Sequence, residues 1–305
     1  MRFLLAATAL VLALPAAAPA VPAANCAQTS VATKPLTDLG TAKYHGYRGG
    51  LYANGKNVPP KAYFKTGLAR ARSIKPIDGK IVLLSIGMSN TTQEFSAFKR
   101  VADADSRKNP SLTIVDGAQG GQDAKIVSDP NARFWTVVAL RLSLAGATPT
   151  QVQAVWLKEA YARPTESFPA DAKRLKTDLA AIAGILRERF PNLKLVYVSS
   201  RTYGGYASTA LNPEPFAYNS GFAVKWLVLD RIAGKLAGPW LAWGPYLWTN
   251  GVQGRKDGLV WTCADTRPSD GTHPSSSGQQ KVAQLLLKFF TTNATARPWF
   301  VSSAG

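Results

Sequence analysis

From Lys80 onward the chain alternates short apolar runs with amphipathic stretches, and this alternation most limits the folds open to it. The runs at 81–86, 111–115, 152–157, 193–198 and 240–243 are apolar along most of their length rather than at every second residue. Strands covered on both faces read this way. Between and after them, 91–105, 132–144, 171–190, 216–233 and 277–290 carry helical character. The clearest is 171–190, where Leu175, Leu179, Ile182 and Leu186 form one stripe and Pro191 ends the pattern. Regular alternation of strand and helix implies right-handed crossovers and a mostly parallel sheet between two helix layers, a three-layer α/β/α sandwich. In sheets of this kind, ligands and catalytic groups gather at the carboxyl ends of the strands.

The first 24 residues read as a leader. Arg2 precedes an apolar run from Phe3 to Leu14, and small residues and prolines follow, in the order of a secretory signal peptide. The run is shorter than the roughly 20 residues needed to span a bilayer. Expected organisation is therefore a signal peptide at 1–24, an irregular extension rich in Gly, Pro and Lys at 25–78, and one α/β domain at 79–305, with no transmembrane segment in the mature chain. The expected location is secreted or periplasmic. Cys26 and Cys263 are the two cysteines of the chain and both survive cleavage, so export predicts a disulfide between them. The formal net charge is +18, of which the leader carries only Arg2. Such a surface attracts anions. The basic residues are scattered, and no nucleic-acid-binding signature accompanies them, so no specific nucleic-acid partner is expected.

Three stretches fall where this architecture gathers chemistry. After the first strand comes Gly87-Met88-Ser89-Asn90-Thr91-Thr92. A serine between strand and helix stands beside the unpaired amides of a helix N-terminus, which suit a developing oxyanion. Taken alone, Ser89 is more simply a helix cap. After the second strand comes Asp116-Gly117-Ala118-Gln119-Gly120-Gly121, where glycine lets backbone approach a ligand. Near the C-terminus comes Asp270-Gly271-Thr272-His273-Pro274. A serine hydroxyl needs a base, histidine is the usual one, and a carboxylate fixes its tautomer. Only His45 and His273 are available, and His45 lies in the irregular extension, away from the strand ends.

Gly87-Met88-Ser89-Asn90, the Gly120-Gly121 loop and Asp270-x-x-His273 together resemble, in order, the blocks of the SGNH/GDSL hydrolases, over roughly residues 80–290. The Gly-x-Ser-Asn first block is similar to that of the sialate-O-acetylesterase-like branch. The resemblance implies a flavodoxin-like sheet and ester hydrolysis with no metal or cofactor. It assigns Ser89 as nucleophile, His273 as base and Asp270 as its orienting acid. Oxyanion donors would be the backbone N–H groups of Ser89 and of Gly121, with Gly120 next. The family's third block ends in an Asn or Gln donor. Here the stretch 155–160 offers none, and Lys158 is the substitute, unless it pairs with Glu159 or another acid. Among the aromatic residues near these blocks (Trp156, Tyr161, Tyr203, Tyr206, Trp243, Tyr246 and Trp248), Trp156 and Tyr203, together with Asn90, are candidate substrate contacts. The expected partner is an ester substrate, with an O-acetyl group on a carbohydrate as one candidate. The alternative function is a non-catalytic protein on a degenerate SGNH fold that binds carbohydrate or anionic surfaces.

Overall fold

The computed structural model describes residues 23–302. The expected leader, apart from Ala23 and Ala24, lies outside the described residues. Five parallel strands form the central sheet: β1 (Ile81–Gly87), β2 (Leu112–Asp116), β3 (Val152–Lys158), β4 (Leu195–Val198) and β5 (Trp240–Trp243). Their order across the sheet is β2-β1-β3-β4-β5. This is the flavodoxin-like order, and every neighbouring pair is parallel. All residues of β1, β3, β4 and β5 are buried, as their unbroken apolar runs require.

The flanking helices are α1 (Lys61–Arg72), α2 (Ser89–Asp103), α3 (Ala124–Val127), α4 (Arg133–Leu144), α5 (Ala170–Arg189), α6 (Phe216–Ile232) and α7 (Ser276–Thr292). α2 packs along α7, and α5 along α6. From β1 the chain first steps outward to β2 and then reverses to β3, β4 and β5. With right-handed crossovers, that reversal puts the helices on both faces and opens a crevice at the carboxyl ends of β1 and β3. Because α2 and α7 lie side by side, Ser89 at the start of one and His273 just before the other meet at that crevice.

One expectation is corrected in the extension. Residues 25–78 are not irregular throughout, because 61–72 form α1. Pro60 precedes its first residue, and Trp240 packs against Gly67 so closely that a Cβ there would lie 2.4 Å from the indole. The helix forms against the sheet edge rather than from its own periodicity, which is weak. Tyr63 adds a ring stacked on Trp240 at 5.4 Å and a hydroxyl that donates to the Leu241 carbonyl at 2.9 Å.

Cys26 and Cys263 are disulfide-bonded, with Cα atoms 5.3 Å apart and a sequence separation of 237. The bond ties the start of the described chain to the turn Cys263–Asp265, which opens the histidine loop. A cross-link closing so long a loop removes much unfolded-state entropy. Replacing both cysteines by serine is expected to cost about 2–5 kcal/mol. Urea unfolding of the two proteins side by side checks this.

Candidate active site

The site grows from the first turn of α2. Met88, at its N-cap, supplies no side-chain acceptor, and among the described residues the N–H groups of Ser89, Asn90 and Thr91 have no partner. The four side chains from 89 to 92 reach three segments at the carboxyl edge. Ser89 Oγ lies 2.9 Å from His273 Nε2. Asn90 Nδ2 donates to the Thr272 carbonyl at 2.9 Å. Thr91 Oγ1 donates to the Lys158 carbonyl at 2.7 Å, clamping the turn to the end of β3. Thr92 Oγ1 donates to Asp116, which closes β2. Gly87 permits this close fit, since a Cβ there would lie 2.4 Å from both the Lys158 carbonyl oxygen and Thr91 Oγ1.

His273 is held from behind by Asp270, whose Oδ2 lies 2.8 Å from Nδ1. The other oxygen, Oδ1, accepts the N–H of Thr272 at 2.7 Å and of His273 at 2.8 Å. Burial opposes ionisation of Asp270, but these two N–H groups and the imidazole outweigh it and hold its carboxyl below the usual value. The loop itself is pinched shut. The Arg267 N–H donates to the His273 carbonyl at 2.7 Å, and the Ser275 N–H to the Asp265 carbonyl at 3.0 Å. Gly271 has φ +62°, and a Cβ there would sit 1.7 Å from the Tyr206 carbonyl oxygen, so only glycine fits.

The loop after β2 completes the site. Asp116 gathers Ser85 Oγ at 2.6 Å, Ser96 Oγ at 3.1 Å and the Ala118 N–H at 3.1 Å, besides Thr92. The Gln119 N–H bonds to the Gly87 carbonyl at 2.9 Å. Gly120 then faces the serine, a Cβ built on it lying 3.9 Å from that of Ser89, whereas one on Gly121 has no neighbour within 4 Å. Of the two glycines expected to serve an oxyanion, Gly120 is thus the one that lies against Ser89.

Four other expected roles are corrected. Lys158 is 1% exposed, and its Nζ is chelated by Glu94 of α2 at 2.7 and 2.5 Å. Burial pushes the Lys158 ammonium down to about 8 despite that carboxylate. Two of the three ammonium hydrogens of Lys158 are thus spent on a carboxylate inside the protein, and its partner is Glu94 rather than Glu159. Glu159 is also buried, which raises its carboxyl well above the usual range. Trp156 is wholly buried. It stacks on Phe95 at 5.6 Å and donates from Nε1 to Ser199 Oγ at 3.0 Å, so it is a core residue and not a substrate contact. Tyr203 is 3% exposed and its hydroxyl donates to the Gln28 carbonyl at 2.9 Å, which fastens the N-terminal segment. Asn90 is 2% exposed and spends its amide on the histidine loop. His45 lies elsewhere, its ring edge-on to Tyr44 at 4.4 Å. Sequence reasoning missed Glu94 altogether. A lone acid in an amphipathic helix carries no local mark of being buried.

No protein-family profile matches the chain, and no curated protein does. Solved structures similar to it are distant. A Bacillus subtilis protein is 10% identical over 70% of this chain at a TM-score of 0.42, and the match spans 56% of that protein's length. The periplasmic domain of a lipopolysaccharide acetyltransferase from Salmonella Paratyphi A is 13% identical at a TM-score of 0.42, covering 76% of this chain and 88% of that one. A carbohydrate acetylesterase from Sinorhizobium meliloti is 14% identical at a TM-score of 0.40, covering 67% and 95%.

Two outcomes follow from the site's electrostatics. Lys158→Met strands the Glu94 carboxylate in the interior and is expected to destabilise the protein by about 3–5 kcal/mol. Glu94→Leu combined with Lys158→Met removes both charges and is expected to recover most of that loss. Denaturant unfolding of the single and double variants measures both. Asp270 has a lowered folded value, so its contribution to stability is present above the unfolded value of about 3.9 and is lost as pH falls through the folded one. The stability gap between the native protein and Asp270→Asn is therefore expected to be full at neutral pH and to close below about pH 4. Unfolding free energies measured across that range check the sign.

Proposed function

We propose that the chain is an exported serine esterase that hydrolyses a carboxylic ester through Ser89, His273 and Asp270. The observation that carries this reading is the continuous relay from Ser89 Oγ to His273 Nε2 at 2.9 Å and from His273 Nδ1 to Asp270 Oδ2 at 2.8 Å. A nucleophile, base and orienting acid in sequence would account for a histidine loop held against the first turn of α2. A purely capping serine has no need of an imidazole.

In the proposed reaction, Oγ of Ser89 attacks the ester carbonyl carbon while His273 Nε2 takes the hydroxyl proton. The carbonyl oxygen becomes an oxyanion facing the N–H of Ser89, at the helix N-terminus, and the N–H of Gly120. Asp270, held ionised by its hydrogen bonds, keeps the imidazole in the tautomer that accepts at Nε2 and stabilises the imidazolium that follows. As the tetrahedral intermediate collapses, the carbon–oxygen bond to the alcohol breaks and His273 returns the proton to that oxygen. Water then attacks the acyl-serine with the same base, releasing the acid and restoring Ser89. With Lys158 engaged by Glu94, backbone N–H groups supply the oxyanion donors in this scheme. An O-acylated carbohydrate remains the favoured substrate class, in keeping with the exported and strongly basic chain.

A fluorophosphonate probe is expected to label the mature protein at Ser89, located by peptide mass spectrometry, and to leave Ser89→Ala unlabelled. Asp270→Asn is expected to keep its fold and lose on the order of 10⁴-fold in turnover of an activated acetate ester. Absence of labelling in folded protein would overturn the esterase reading.

A further inference from the structure

A cavity of about 210 Å³ lies outside the catalytic relay, lined by Asp123, Lys125, Tyr161, Arg163, Pro164, Thr165, Glu166, Asp171 and Arg174. Neither Ser89 nor His273 lines it. It is walled by the same two loops that frame the crevice, one following β2 and the other following β3. These loops are stitched together: the Ala124 N–H donates to the Ala160 carbonyl at 3.1 Å, and the Ala162 N–H to Asp123 Oδ2 at 3.1 Å. The cavity therefore opens on the carboxyl edge of the sheet. Asp123 follows Gly120 by three residues, a span of at most about 11 Å, and Gly120 stands beside Ser89. The catalytic relay and the cavity therefore share this edge of the sheet.

Its charged groups are unequally occupied. Asp123 is fully engaged, Oδ1 capping α3 through the Ile126 N–H and Oδ2 taking the Ala162 N–H. Glu166 pairs with Arg174 at 3.3 Å, and that guanidinium also lies over the Tyr161 ring at 5.2 Å. Asp171 is 5% exposed and spends Oδ2 on Asn219 at 2.7 Å, while its Oδ1 meets no donor among the described residues. Burial raises its carboxyl toward the neutral form. Lys125 and Arg163, by contrast, make no hydrogen bond or ion pair from their side chains among the described residues. The wall thus offers two unspent cations, a stacked arginine and one unsatisfied acceptor. A ligand that matches it carries an anionic group for the cations and hydroxyls for the rest. The volume is below the about 300–1,000 Å³ of sites that enclose a drug-sized ligand, so it suits one polar unit of a longer molecule.

We propose that this cavity is a subsite for an acidic sugar, a uronate-type residue whose carboxylate is held by Lys125 and Arg163, and that it selects anionic over neutral polysaccharides for de-esterification at Ser89. The inference rests on the esterase reading for its role in catalysis, but the binding site stands on the cavity alone. The basic character of the whole chain would draw such a polymer in, and the cavity would fix its position along the sheet edge.

The test uses the full mature chain carrying Ser89→Ala, titrated calorimetrically with trigalacturonate, with maltotriose as the neutral probe and with inorganic phosphate. Trigalacturonate is expected to bind and maltotriose to bind at least tenfold more weakly. Arg163→Ala and Lys125→Ala should each weaken trigalacturonate about tenfold. Lys65→Ala, which removes an equal charge from α1, should leave binding unchanged. In the Ser89 background, Lys65→Ala should hydrolyse a small activated acetate ester at the native rate. Equal weakening by Lys65→Ala, indifference to Arg163→Ala and Lys125→Ala, or no binding at all overturns the subsite. Phosphate binding as tightly as trigalacturonate overturns its assignment to a sugar. Trigalacturonate binding that persists in a chain whose Ser89 resists the phosphonate would instead sink the esterase reading and leave the subsite standing.

Discussion

The first turn of α2 is the constraint on which the rest of the site depends. Ser89 and Asn90 bond to the histidine loop, one to its ring and one to its backbone, Thr91 to the end of β3 and Thr92 to the end of β2. Four polar side chains in succession would leave a helix without a capping acceptor poorly anchored. Here they exchange helix propensity for long-range bonds that fix α2 against three separate loops. The N–H groups of Ser89, Asn90 and Thr91 have no partner among the described residues, so the groups that position the Ser89 hydroxyl also leave room for an anion beside it.

Beneath this turn the interior carries more charge than a core of this size usually does. Lys158 and Glu94 form a buried pair, Arg201 and Glu159 are buried around them, and Glu214 is half-buried nearby. Glu214 accepts from the Gly204 and Tyr218 N–H groups and from Trp248 Nε1, while Arg201 donates to Asn212. Buried ion pairs add little net stability relative to apolar packing, but losing one partner is costly. Their effect here is geometric. Glu94 and Thr91 both engage Lys158, one its ammonium and one its carbonyl, so α2 and β3 cannot slide past each other without breaking both. The Ser89 hydroxyl is thereby placed relative to the sheet by the interior, and relative to His273 by the surface loop.

The histidine loop shows the complementary strategy. Its turn is closed by its own backbone bonds, anchored by the disulfide at Cys263 and held to α2 by Asn90. Asp270 serves that loop twice, with Oδ1 organising the backbone and Oδ2 orienting the imidazole. A single carboxylate thus couples the conformation of the turn to the orientation of the ring, which is why its ionisation is linked to stability as well as to the proposed chemistry.

Much of this was legible in the sequence. Unbroken apolar runs separated by amphipathic stretches determine a doubly covered parallel sheet, because only strands buried on both faces tolerate such runs. The juxtaposition of Ser89, Asp270 and His273 was also readable, since residues at the ends of parallel strands and the starts of the following helices must share one edge. The pairing of Cys26 with Cys263 followed from there being no other cysteine. What each polar or aromatic residue does at that edge was decided by tertiary structure alone. Lys158 and Glu94 are 64 residues apart, and Asn90 and Thr272 are 182 apart. No local periodicity records such distances, so an ammonium expected in the crevice proved to be buried, and an amide expected to bind substrate proved to bind backbone. Trp156 was misread for the same reason: a strand end exposes or buries its side chains according to which helix crosses it, and only the packed chain determines that α2 lays Phe95 against this indole.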